Sequence, residues 1–267
     1  MKANRLVFVK FGGAAITDKT QPRTPILENI ENLCRQIAAA RHERPDTAYL
    51  LGHGSGSFGH FSGQKYNTRN GVKTNADWLG FAEVWEDARR LNELVIHTCL
   101  QAGLPVIAFP PSAWVVTDNR EPVEFQVSPL QSALNANLIP VVNGDVIFDR
   151  SIGGTILSTE EIFDILTDEL KPDRIVLCSR EPGIWRDFPD CTQLAPSLSI
   201  DQFQKLGRSV VGAAGMDVTG GMAKKVAIMM EILQRHPEME INITSGIDGH
   251  SLLDALVDKT TGTLLHS

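Results

Sequence analysis

Six short β-branched or apolar runs punctuate this chain: Leu6–Phe11, Thr47–Leu51, Pro105–Phe109, Ile139–Val142, Arg174–Cys178 and Glu240–Thr244. Between them lie segments whose apolar residues recur at helical spacing. Leu27, Ile30, Leu33, Cys34 and Ile37 form one stripe, and Met222, Val226, Met229, Met230 and Leu233 form another. A longer stripe runs through Trp78, Phe81, Ala82, Trp85, Ala88, Leu91, Leu94 and Val95. A strand that is apolar at successive positions has no face left for water, so both faces must be covered. Such strands alternating with amphipathic helices specify an α/β fold with a parallel sheet. Gly103-Leu104-Pro105 stops the long helix, with Gly past the last turn and Pro beyond it. Ser112–Gln126 reads as a β-hairpin on one edge. Glu181–Pro196, with three prolines, reads as a long ordered loop bordering a smaller C-terminal half. No repeat or low-complexity tract divides the 267 residues.

Hydrophobic residues make up 42% and charged residues 21%, which excludes a disordered chain. The net charge is 25 − 32 = −7, against a nucleic-acid or anionic-membrane binder. Phosphorylated substrates stay open, because a few lysines in a cleft can outweigh an acidic exterior. Cys34, Cys99, Cys178 and Cys191 show neither a C-x-x-C nor zinc spacing and read as reduced packing residues. Leu6–Val9 is too short for a signal-peptide core, and no run approaches the roughly 20 apolar residues of a membrane span. A soluble, cytoplasmic protein is expected.

In an open α/β sheet, ligands bind at the carboxyl ends of the strands. Glycines cluster at four such places: Gly12-Gly13, Gly52–Gly59, Gly153-Gly154 and Gly215–Gly221. Together they suggest a polyphosphate held by backbone N–H groups. Gly54, Gly56 and Gly59 match G-x-G-x-x-G, so a dinucleotide oxidoreductase must be considered. That motif needs a helix directly behind it, and Phe61–Asn67 followed by Asn70-Gly71 reads as poor helix beyond about one turn. No Gly-Lys dipeptide exists, so the Walker A loop is absent.

Three lysines point to another design. Lys10 ends the first strand, Lys19 closes the loop after it, and Lys225 lies one turn into a helix opened by Gly220-Gly221. Phosphoryl transfer is catalysed mainly by positioning and by cations that neutralise the transferred oxygens. His60, ending the second glycine loop, is a candidate donor to a phosphate. His53 and His60 lack a third ligand, so no metal site is expected.

Lys10-Phe-Gly-Gly-Ala-Ala-Ile-Thr-Asp-Lys19, His53–His60, Asn143–Asp149 and Asp217–Lys225 together resemble the amino acid kinase superfamily. Within it they look most like the isopentenyl phosphate kinases, over nearly the whole chain. The resemblance implies an open αβα sandwich in one domain, residues 1–267. Its N-terminal half (about 1–170) would bind the acceptor and its C-terminal half (about 171–267) the nucleotide. It implies transfer of the ATP γ-phosphoryl group to isopentenyl phosphate, with Mg²⁺, in a homodimer. Lys10, Lys19, His60, Asp145 and Lys225 would be catalytic, Asp145 orienting the lysines. ATP would meet Lys10, Gly12, Gly13, Ala14, Ser55, Ser179, Gly183, Gly220, Gly221 and Lys225. The acceptor would meet Gly54, Gly59, His60, Gly154 and Thr155, and the long helix carrying Trp78, Phe81, Trp85 and Leu91 could wall an apolar pocket for its prenyl chain. Ala14, Ser55, Thr155 and Ser179-Arg180-Glu181-Pro182-Gly183 depart from that pattern. The competing readings are a kinase for another small phosphate or phosphonate such as fosfomycin, a non-catalytic nucleotide sensor, and the oxidoreductase above.

Overall fold

The computed structural model describes residues 5–187, 189–209 and 220–267. The first part of the chain forms β1 (Arg5–Phe11), α1 (Gly13–Ile16), α2 (Leu27–Glu43), β2 (Thr47–His53), α3 (Gly56–Tyr66) and α4 (Asn75–Gln101). There follow β3 (Val106–Ala108), β4 (Val115–Asp118), β5 (Glu121–Phe125), α5 (Ser128–Asn135), β6 (Ile139–Asn143), β7 (Asp145–Asp149), β8 (Gly153–Leu157) and α6 (Thr159–Leu170). The remainder forms β9 (Arg174–Ser179), β10 (Ile184–Trp185), β11 (Leu194–Ala195), β12 (Ser197–Ser199), α7 (Ile200–Ser209), α8 (Gly220–Arg235), β13 (Glu240–Ser245), α9 (Ser251–Leu256) and β14 (Thr263–His266).

All six predicted strands lie in one sheet, ordered β12-β14-β13-β9-β1-β2-β6-β3. From β13 to β3 every pairing is parallel, and β14 runs antiparallel to β13. Side chains of β1 alternate between two cores. Val7, Val9 and Phe11 pack with α2, α4 and α9 through Leu33, Ile37, Leu91, Val95 and Leu252. Phe8 packs on the opposite face with α6 and α8 through Phe163, Leu166, Val226 and Met230. Both faces are therefore covered, as the unbroken apolar strands require. Among the described residues no helix is long and apolar enough to cross a membrane.

Ser112–Gln126 does form a hairpin, β4–β5, at the edge of a second sheet ordered β5-β4-β7-β8. Its turn residues Asn119 and Arg120 both have positive φ, 50° and 73°. Asp149 holds that turn: its carboxylate accepts from the Asn119 and Arg120 N–H groups at 3.1 and 2.7 Å and from Thr117 Oγ1 at 2.7 Å. The Ser151 and Ile152 N–H groups donate to it as well. Burial alone would raise this carboxyl, but the donors overcome it and hold it at about 2.

One expectation fails. The segment after the second glycine loop is an eleven-residue helix, α3, opening directly at Gly56. Its glycines lower intrinsic helicity, but it lies along α4, where Gly80 leaves room for the Tyr66 ring. Tertiary packing outweighs propensity there. Asn67 then ends the helix in the left-handed conformation, φ 50°.

Candidate active site

The carboxyl ends of β1 and β2 are neighbours, with Lys10 opposite Gly52 and Phe11 opposite His53. Their two loops therefore meet. A Cβ on Gly13 would lie 2.7 Å from the Gly56 N and Cα, so this approach is open only to glycine. Thr17 ties the junction, its hydroxyl donating to the Gly13 carbonyl at 2.7 Å and accepting from the Ser57 N–H at 2.8 Å. Above the junction opens a cleft of about 510 Å³. Lys10, Lys19, Lys225, Gly13, Ala14, Gly54, Ser55, Gly59 and His60 all line it. The N-termini of α3 and α6 face the same space, and their dipoles favour an anion.

Lys10 continues the Phe8 row of β1, so its side chain enters between α6 and α8. It is only 4% exposed and forms an ion pair with Glu160 of α6, itself 4% exposed. Burial pushes the Lys10 ammonium down to about 8, with Lys225 and Lys19 adding to the effect and Glu160 opposing it. Burial would raise Glu160, but Lys10 and Lys225 hold its carboxyl below the ordinary value. Lys19 is lowered by burial and by Lys225, and His60 by burial and by Lys19. Lys10, Lys19 and Lys225 thus converge on one space, with Arg69 and Lys224 also on its lining and Glu160 the one carboxylate there among the described residues. Such a set is incomplete without an anion.

Glu160 is the residue that sequence reasoning missed. Its signal was the Ser158-Thr159-Glu160-Glu161 capping box, in which Glu161 accepts from the Ser158 N–H at 2.6 Å and starts α6 at the cleft. Glu161 also pairs with Arg69 at 2.7 Å and Arg120 at 3.2 Å. Asp145, expected to orient the lysines, does not reach them. Its buried carboxylate accepts from the Ser112 and Val146 N–H groups, and burial raises its pKa.

Gly154 and Thr155 lie at the start of β8 and outside the cleft lining. A Cβ on Gly154 would lie 2.7 Å from the Phe81 ring, and Thr155 donates to the Arg69 carbonyl at 2.9 Å. Trp78, Phe81 and Phe148 stack on one another over that sheet, so these α4 aromatics do not wall the cleft. Gly12 and Ser179 border a small adjoining cavity with Lys10, Glu160 and Lys225. The Gly12 N–H is spent on the Cys178 carbonyl at 2.8 Å. Gly183 packs against Thr263 of β14 and lines neither the cleft nor the adjoining cavity. Gly220 and Gly221 open α8, while the preceding glycine loop and Asp217-Val218-Thr219 lie outside the described residues. His53 is buried, its Nε2 3.0 Å from Asn92 Oδ1, and serves packing.

The profile of the amino acid kinase family matches residues 5–244. The chain belongs to the amino acid kinase family. It is 28% identical to the isopentenyl phosphate kinase of Methanocaldococcus jannaschii, over 97% of each chain. To that of Methanothermobacter thermautotrophicus it is 26% identical, over 97% of this chain and 98% of the relative. The crystal structure of the Thermoplasma acidophilum isopentenyl phosphate kinase product complex superposes with a TM-score of 0.79. At 22% identity over 98% of this chain and all of that one, this likeness shows the fold.

The described side chains that line the cleft include Lys10, Lys19, Lys225 and His60, with backbone of several glycines between them. No group of three or more His, Cys, Asp or Glu side chains that could hold a metal exists among the described residues. Among the described residues lining the cleft the one carboxylate is Glu160, which pairs with Lys10. The phosphate oxygens of a bound nucleotide would be ligands for Mg²⁺.

Proposed function

We propose that this protein is an ATP-dependent kinase that phosphorylates isopentenyl phosphate to isopentenyl diphosphate, with Mg·ATP as donor. The convergence of Lys10, Lys19, Lys225 and His60 on one glycine-walled cleft carries this reading, and the named relatives support the acceptor. An acceptor phosphate is already ionised near neutral pH, so the reaction needs no general base. One of its oxygens bonds to the γ-phosphorus, the bond from that phosphorus to the bridging oxygen breaks, and ADP leaves with the electron pair. Lys10 and Lys225 hold the transferring group, Lys19 neutralises charge beside it, and His60 with the Gly54 and Gly59 backbone holds the acceptor phosphate. Gly13 and Ala14 face the donor phosphates. The N-terminal half (about 1–170) holds the acceptor and lends the Lys10–Ala14 turn to the donor phosphates, and the C-terminal half (about 171–267) holds the rest of the nucleotide. Ile156, Leu157 and Ile228 give the cleft its apolar lining for a five-carbon chain.

The protein acts as a homodimer in the cytoplasm. The exposed apolar side chains of Leu79 and Trp85 on α4 favour a covered face there, which sedimentation at micromolar concentration reads directly. The test of function is ADP release from Mg·ATP with isopentenyl phosphate, dimethylallyl phosphate, longer prenyl phosphates and fosfomycin as competing acceptors. Preferred turnover of the five-carbon phosphates is expected. Preference for fosfomycin, or ATP binding without turnover of any acceptor, overturns the proposal.

A further inference from the structure

We propose that Arg23 and Asp87, remote from the reacting groups, form a positioning pair for Lys19. The inference rests on the role given to Lys19 above.

Residues 17–25 form a strap that leaves α1 and returns beside it. Its ends are pinned by the Thr17–Pro25 bridge and by the Ile26 N–H on the Ile16 carbonyl at 2.8 Å. Its body lies on the first turn of α3. The Arg23 N–H donates to the Ser57 carbonyl at 3.2 Å and the Thr24 N–H to Ser57 Oγ at 3.1 Å. Within the strap, Asp18 accepts from the Thr20 N–H and hydroxyl at 2.8 and 2.7 Å. Lys19 sits between these anchors and reaches the cleft.

The far end of the strap is held by a different helix. Asp87 is 2% exposed on the buried face of α4, where the neighbouring stripe is apolar. Both of its oxygens accept from Arg23, Oδ1 from Nε at 2.6 Å and Oδ2 from Nη2 at 3.1 Å. Arg23 reaches it with φ 53°, a backbone conformation that non-glycine residues seldom adopt. A buried carboxylate, a two-point arginine contact and an unfavourable backbone meet at one point. This is the pattern of a segment held in place by its surroundings.

Lys19 needs such restraint. Lys225 repels it across the cleft, and a flexible lysine stem on an unrestrained loop would swing to solvent. Phosphoryl transfer depends on cations kept in register with the transferred group, and a misplacement of about 1 Å can cost on the order of 100-fold.

The test compares Arg23→Gly, Asp87→Asn and Lys19→Ala with the Arg23→Gly/Lys19→Ala double variant. Glycine adopts φ 53° freely, so Arg23→Gly removes the clamp while relieving the backbone. Arg23 is on the surface, so this variant folds even where Asp87→Asn does not. The expected result is a fall in kcat of about 10-fold or more, KM values within about twofold, and no further loss when Arg23→Gly is added to Lys19→Ala. The pH dependence of Lys19 acetylation, read by peptide mass spectrometry, gives a second readout that needs no acceptor. Its lowered pKa should rise toward the ordinary lysine value in Arg23→Gly. Independent losses in the double variant, or an unmoved Lys19 titration, overturn the inference. If Lys19→Ala keeps the wild-type kcat, the Lys19 role and the clamp fall together. The kinase reading fails separately, if the wild-type protein turns over no acceptor.

Discussion

Replacing Glu160 by Gln removes the counter-charge of Lys10 while keeping the shape of the side chain. Lys10, 4% exposed, is already pushed down to about 8 with its partner present. Removing one member of a buried pair costs about 3–5 kcal/mol, which at 1.36 kcal/mol per pKa unit lowers Lys10 by about two units or more. Lys10 would then titrate near or below about 6. At pH 7.5 its charged fraction falls from about three quarters to about 3%, so activity that needs the ammonium drops roughly 25-fold. The sign follows from the role: Lys10 acts when protonated, so activity is lost as pH rises through its pKa, and a lower pKa brings that loss to lower pH. The assay is kcat/KM for Mg·ATP from pH 5.5 to 9, which reports the free enzyme. The wild-type alkaline limb should fall near pH 8 and that of Glu160→Gln near pH 6, the two proteins converging on the acid side. A limb that stays near pH 8 in the variant would refute the pairing of Glu160 with a functional Lys10.

Three other outcomes are expected. Gly13→Ala puts a methyl group 2.7 Å from the Gly56 backbone, so the two loops must part; turnover should fall at least tenfold while far-UV circular dichroism is unchanged. His60→Ala should raise the acceptor KM far more than the Kd of Mg·ATP measured by calorimetry, and equal losses would remove His60 from the acceptor phosphate. Asp149→Asn replaces an acceptor of several N–H and O–H donors by an amide with its own donors, costing about 1–3 kcal/mol in urea unfolding. The wild-type carboxyl is depressed to about 2. Its stabilisation is therefore complete above the unfolded pKa near 4 and lost as pH falls through about 2, so the gap between wild type and variant should narrow below about pH 4.

Legibility in the sequence differed from site to site. Lys10, Lys19, His60 and Lys225 were found because strand ends, glycine loops and charge leave a local mark, and the cleft gathers all four. Asp145 is tied to the lysines only by the family resemblance of Asn143–Asp149. The fold turns its carboxylate to the Ser112 and Val146 amides instead. Glu160 carries a capping-box mark that explains a helix start, and nothing local says that Lys10 will arrive beside it from 150 positions earlier. Gly154 marks a glycine loop equally well in sequence, yet its missing side chain makes room for Phe81.

The alternation of unbroken apolar strands with amphipathic stripes was enough by itself to determine an α/β fold with a doubly covered parallel sheet. Hydrophobic periodicity is a local property, and burial on both faces follows from it directly. Only the tertiary structure decided which charges meet. It set α3 as a helix against its own glycines, because packing on α4 outweighs propensity. It also brought Glu160 to Lys10, and Asp87 to the strap carrying Lys19. The energy of a buried ion pair depends on distance and desolvation, and both are set by how distant segments pack.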